Sequence, residues 1–251
     1  MPIKFLNFED DAASIITVRV ENGPSERVVF YRKLLTSAAF RNVVQPLQAN
    51  VDLFALGIAR ASETSNLRGI HHRARETAPA LRQSFQDIGN AGRQKLSDIA
   101  NVRNDQLGRH KVDPARSVAI ATRLSAMKIA DASRLALTDP EVAVSALQNW
   151  AIGGLPDALR QQIENSLILH NLTTTYLAHH PLKPSFIDPI PNGFDRDAAM
   201  TNAKAAMKAH EDGVAEVDLV RSMLTSVVNF VAVATDQHPV VAFDLLNGKA
   251  A

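Results

Sequence analysis

The chain has 251 residues, 46% of them hydrophobic, with 27 lysines and arginines against 26 aspartates and glutamates, and it has no cysteine. That length and apolar content suffice for a sizeable core in one large domain or two small ones. The balanced charge singles out no partner, and the missing cysteine excludes disulfides, thiolate metal sites and a cysteine nucleophile. Aromatic residues make up only 5% and alanine is abundant, a composition that favours helix over sheet.

The start, Met1-Pro2-Ile3-Lys4-Phe5, runs into Glu9-Asp10-Asp11. It lacks a basic region followed by an apolar stretch, so it does not read as a secretory signal. Ile15 to Val20 and Arg27 to Tyr31 are β-prone runs, separated by Glu21-Asn22-Gly23-Pro24-Ser25-Glu26. Asn-Gly accepts positive φ and Pro24 bars a continuing ladder, so this segment reads as a β-hairpin. Ile3 to Phe8 is a candidate third strand. An isolated hairpin is only marginally stable, so it should lean on helices or pair with a neighbour.

After Tyr31 the periodicity turns helical. Leu34, Leu35, Ala38, Ala39 and Val43 form a short apolar face expected to end near Pro46, and Leu47, Val51, Phe54, Leu56 and Ile58 continue it in a second helix. Residues 63–111 are the most polar and basic stretch. One side of it is still marked by Ile70, Ala74, Ala78, Leu81, Phe85, Ile88, Gly92, Leu96 and Ile99 at heptad-like steps, with a kink or restart expected at Pro79 and further interruption at Gly89 and Gly92.

Asp113-Pro114 opens a helix with an N-cap side chain followed by proline. It is expected to reach about Leu137 with Val118, Thr122, Ala126, Ile129 and Ala136 inward. Thr138-Asp139-Pro140 starts another, stopped by Gly153-Gly154. Leu155-Pro156-Asp157 starts the next, with Leu159, Ile163, Leu167, His170 and Leu177 on one face. Residues 180–196 carry four prolines and Asn192-Gly193 and read as a long loop or a linker.

The strongest signal follows. Met200, Ala203, Met207, His210, Val214, Val217, Arg221, Leu224, Val228 and Val231 alternate in steps of three and four, one narrow stripe on one long helix. The longest uncharged run, Ser222 to Ala234, is too short to cross a bilayer on its own. A short helix from about Pro239 to Leu246 ends the chain. The expected fold is therefore mainly α: a multi-helix bundle with long antiparallel, coiled-coil-like helices and a small N-terminal β-hairpin. Its segments are 1–33, 34–180, the Pro-rich loop 181–196, and 197–251.

Charge is uneven. Residues 60–116 hold eleven basic and six acidic side chains, whereas 117–251 hold ten basic and fourteen acidic. Arg68, Arg75, Arg82 and Arg93 are spaced 7, 7 and 11 and share a sector on an unbroken helix. A phosphate-tracking stripe on nucleic acid is one reading. Flanking charges that pair with acids on a neighbouring helix is the favoured one, since no aromatics are interleaved.

No phosphate-binding glycine loop, dinucleotide fingerprint, nucleophile elbow or zinc-protease motif occurs, and no Glu-x-x-His pairs for a di-iron site. His72 and Glu76 stand one turn apart and read as a solvated pair. His170 and His210 read as hydrogen-bonded residues on apolar faces, and Trp150 as an anchor before Gly153-Gly154. Met200, Met207 and Met223 suit helix-on-helix burial. No catalytic, cofactor or metal residue is assigned.

The function this suggests is a non-catalytic helical structural or interaction protein that oligomerises or docks on a larger assembly. Its interface candidates are Met200, Met207, Val214, Val217, Leu224, Val228 and Val231 on one seam and Leu81, Phe85 and Ile88 on the other. The hairpin is a further element able to add to a neighbour's sheet. Nucleic-acid binding through 60–116 is the alternative. The expected location is cytoplasmic or virion-like, without Sec export or a transmembrane segment.

Overall fold

The structure, a computed structural model, describes residues 3–249. Met1, Pro2, Ala250 and Ala251, which the terminal segments of the sequence reading include, lie outside the described residues. Three antiparallel strands, β1 (Ile3–Glu9), β2 (Ala13–Val20) and β3 (Ser25–Tyr31), precede ten α-helices among the described residues. The helices are α1 (Arg32–Thr36), α2 (Arg41–Thr64), α3 (Leu67–Gly108), α4 (Pro114–Ser125), α5 (Ile129–Thr138), α6 (Pro140–Gln148), α7 (Trp150–Gly153), α8 (Arg160–Leu177), α9 (Arg196–Thr235) and α10 (Pro239–Asn247). The expectation of a mainly α protein with a small N-terminal sheet holds.

Two compact units share the chain: residues 1–97 with 213–251, and 98–212. In the first, the sheet turns Ile3, Ile16, Val18, Val20, Val28 and Phe30 inward onto Val44, Leu47, Val51, Phe54 and Ile58 of α2. Leu81 and Ile88 of α3 and Val220, Val227 and Phe230 of α9 complete this core, and Phe5 meets Phe230 at a ring distance of 5.7 Å. The β2–β3 turn carries Asn22 at φ 57°, a left-handed conformation that asparagine tolerates. A Cβ at Gly23 would stand 2.9 Å from Val20 Cγ1, so the turn also needs the bare glycine. The β1–β2 turn is closed by Asp10, whose Oδ1 accepts from the N–H groups of Ala12 and Ala13.

The second unit packs Leu124, Ala132, Ala136, Ala143, Val144, Ala146, Leu155, Ile163 and Leu167 into its own core. Asp113 and Asp139 cap α4 and α6 as the Asp-Pro pairs imply: each Oδ1 accepts from two first-turn N–H groups. The helix from Asp139 stops at Gln148, short of the expected Gly153-Gly154, and the separate turn α7 ends at Gly154, φ 64°. Arg103 of α3 pairs with Glu164 of α8, and the Asn171 side chain donates to the Gln106 carbonyl at 2.8 Å.

Several local expectations are corrected. The α2 helix runs through Pro46 and α3 through Pro79, Gly89 and Gly92. Both prolines lie on exposed faces, where water can take the carbonyl that loses its N–H partner. The helix from Asp113 stops at Ser125 rather than Leu137, and α5 begins afresh at Ile129. Val118 and Ile129 consequently lie exposed, and Ser117, Ala121, Leu124, Ala132 and Ala136 are the buried side.

The seam of α9 is also rotated. The helix is continuous over 196–235, and Ala203, Val217 and Val231 are buried as expected. The second column, however, is Ala199, Gly213, Val220, Val227 and Ala234, one residue before Met200, Val214, Arg221, Val228 and the next step. Burying Arg221 would strand its charge; it faces outward and meets Asp218 at 2.8 Å. Val220 instead lies over Gly92 of α3, where a Cβ would sit 3.6 Å from its Cγ1. The α9 helix also holds a stretch long and apolar enough, by length and composition alone, to cross a membrane, a broader window than the uncharged run considered from sequence. Of that stretch 44% is buried.

Candidate functional site

The interface candidates divide sharply. Leu81, Phe85, Ile88, Val217 and Val231 are buried in the core of the first unit, and Leu224 and Val228 pack half-buried against it. These residues are occupied by their own chain. Val214 is 36% exposed, and Met200 and Met207 are half-buried in the second unit.

The arginine stripe divides as well. The Arg82 Nε donates to the Leu245 carbonyl of α10 at 3.0 Å, and Arg93 bonds to Asn90. Arg68 and Arg75 are exposed. Among the other basic residues of 60–116, Arg73 pairs with Glu76, Arg103 with Glu164 and Arg116 with Glu141. Glu76, between Arg73 and His72, is held below the usual carboxylate range, first by the Arg73 hydrogen bond and then by the His72 charge. His210 bonds to the Ile99 carbonyl, as expected of it, and His71 to that of Thr235. His170, read from sequence as part of an apolar face, is exposed on α8. Trp150 donates to Asp157 at 2.8 Å and lies under Arg160. Among the described residues no group of three or more His, Asp or Glu is gathered as metal ligands require.

The surface that stands out is the connection between α8 and α9, inside the second unit. The 181–196 segment does not link the two units, since both its flanks belong to the second one. Its neck is closed: Pro181 bridges Phe194, the Leu182 N–H donates to Gly193 O at 3.1 Å, and that of Asp195 to His180 O at 2.7 Å. Its tip is a turn in which the Ser185 N–H donates to Asp188 O and the Asp188 N–H returns to Ser185 Oγ at 3.0 Å. The central residues of that turn are Phe186 and Ile187, 102% and 95% exposed, with Ile190 at 89% beside them. Leu182 and Phe194 extend the apolar surface toward the neck.

At the foot of the loop lies a groove of about 380 Å³ between α8 and the start of α9, lined by Leu169, Leu177 and Met200 with Ser166, His170, Thr173, Thr174 and Arg196. Its hydroxyls are committed: Ser166 donates to Leu137 O, Thr173 to Leu169 O and Thr174 to His170 O. What remains open is apolar wall and positive charge. Partial burial of the His170 ring, then the like charges of His110 and Arg196, hold its pKa below the ordinary value, against a weaker pull from Asp139.

The loop and the groove beside its flanks, with Met200 in the groove wall, are the candidate interaction surface. Of its residues the sequence reading singled out only Met200 as an interface candidate. The available signal was three large apolar side chains set among prolines in a segment with no helical or strand period, where nothing local could bury them. No protein-family model, curated protein or solved structure matches this chain.

Proposed function

We propose that the protein is an interaction module that works by docking, not by catalysis, with the 181–195 loop as its contact surface on a larger assembly. One observation carries the reading: a loop closed at its neck and turned by hydrogen bonds at its tip holds Phe186, Ile187 and Ile190 almost wholly in water. A contiguous apolar tip on an ordered scaffold marks an interaction site. Burying each of these side chains in a partner is worth about 1.5–3 kcal/mol before the costs of association. The groove beneath, apolar with Arg196 and His170 at its rim, suits a partner segment that pairs apolar side chains with a carboxylate.

The experiment is site-specific photocrosslinking from position 187 in the cells that make the protein, followed by binding of the purified partner. Phe186→Asp with Ile187→Asp is expected to weaken that binding at least tenfold. Unchanged affinity, or no crosslinked partner, overturns the proposal. A low-salt gel shift abolished by Arg68→Glu with Arg75→Glu would favour the nucleic-acid alternative instead.

A further inference from the structure

The sheet of the first unit has the order β1-β2-β3, and among the described residues no fourth strand pairs with the outer edge of β1. Two hydrogen bonds identify the backbone groups at that edge. The Asp10 N–H donates to Ala13 O, so with the observed register the residues bonded to β2 are Phe8, Leu6 and Lys4. The alternate residues, Ile3, Phe5, Asn7 and Glu9, point away, and the Ile3 N–H indeed reaches Ser62 Oγ of α2 at 3.2 Å. The edge has neither proline nor bulge; the protective devices it carries are the charges of Lys4 and Glu9 near its two ends.

The helix beneath is bare on the same side. Asn7 Nδ2 donates to Asp52 Oδ1 at 3.0 Å, which sets Asp52 under the β1 edge. At about 100° per residue, Leu56 and Leu53 follow roughly 40° and 100° around α2, away from the buried Val51-Phe54-Ile58 stripe. They are 55% and 62% exposed. A strand added to β1 would lie over them. Leu6 and Phe8 stand exposed on the opposite face of the sheet.

We infer that the protein forms a two-fold dimer in which β1 pairs antiparallel with β1 of a second copy, continuing the sheet to six strands. The strand is complementary to itself. A two-fold axis at Leu6 places Phe5 opposite Asn7 of the other copy, and both are residues whose N–H and C=O point outward. The exposed charges agree: Lys4 and Arg19 stand at one end of the edge, and Glu9, Asp10 and Asp11 at the other, where Arg32 offsets only Glu9. Antiparallel pairing brings the basic end of each copy alongside the acidic end of its mate, whereas parallel pairing would stack like on like. Leu53 and Leu56 of the two α2 helices then close the layer beneath.

The dimer does not depend on the loop, and the test separates them. Sedimentation equilibrium of the full chain, from low to high micromolar, is expected to give twice 27.3 kDa. Asn7→Pro removes an outward N–H without touching the β1–β2 ladder, and Leu53→Glu with Leu56→Glu charges the exposed helix face. Each should weaken the dimer at least tenfold with helical circular dichroism unchanged. Asn7→Ala, which loses only the Asp52 contact, and Phe186→Asp with Ile187→Asp should remain dimeric. A monomeric wild type overturns the inference, as does a dimer that survives the leucine pair or is lost through the loop substitutions alone. Should Asn7→Pro fail to fold, the leucine pair decides.

Discussion

His170 shows how one side chain reports its surroundings. From sequence it belongs to the apolar face of α8. In the structure it sits at the rim of the groove, facing Arg196, His110 and the more weakly felt Asp139. Its folded pKa lies below the ordinary 6.5, so between the two values the unfolded chain holds a proton that the folded chain does not. Stability from this site is complete above about pH 6.5 and falls as the solution is acidified through that window. Proton titration of the His170 ring by NMR is expected to give a midpoint below 6.5, and His170→Gln should flatten the fall in melting temperature between pH 7.5 and 5.5. An identical fall in the variant would refute the assignment. Asp113 and Asp139 behave differently: an aspartate before a proline caps its helix wherever the helix is placed, so their role was legible without the fold.

At the scale of the element, α9 is the sharpest test. Its length and continuity follow from a sustained 3.5-residue repeat. Its phase does not, because two adjacent columns, Met200-Met207-Val214-Val228 and Ala199-Ala206-Gly213-Val220-Val227, are both apolar enough to face inward. The neighbours chose the column with the smaller side chains, and Arg221 on the other column excludes that one from a dry core. Val220→Asp should therefore cost about 3 kcal/mol or more, whereas Val214→Asp should stay within about 0.5 kcal/mol. Chemical denaturation of both variants checks this, and equal losses would restore the seam read from the sequence. The break between α4 and α5 had no such local sign. Ala126-Met127-Lys128 contains neither glycine nor proline, and the turn exists because Leu124, Ala132 and Ala136 must all reach one small core.

For the whole molecule, the division into units cuts across the order of the chain: the N-terminal sheet shares a core with the last part of α9 and with α10, while the middle of the chain forms the other unit. The apolar loop belongs to the second unit and contributes nothing to either core. Replacing Phe186, Ile187 and Ile190 with serine should thus leave the melting temperature within about a degree while raising solubility, since surface changes away from packing rarely exceed about 0.5 kcal/mol. A large drop on differential scanning calorimetry would mean these side chains are buried after all.

Helical content, the N-terminal hairpin and the Asp-Pro caps were determined by sequence alone, because each rests on dihedral preference or hydrogen bonding within a few residues. Which apolar face of a helix is buried, and where an apolar loop is left in water, were decided only by tertiary structure. Those outcomes depend on which distant surfaces meet, and a periodic run of small and large apolar residues offers more faces than one core can accept.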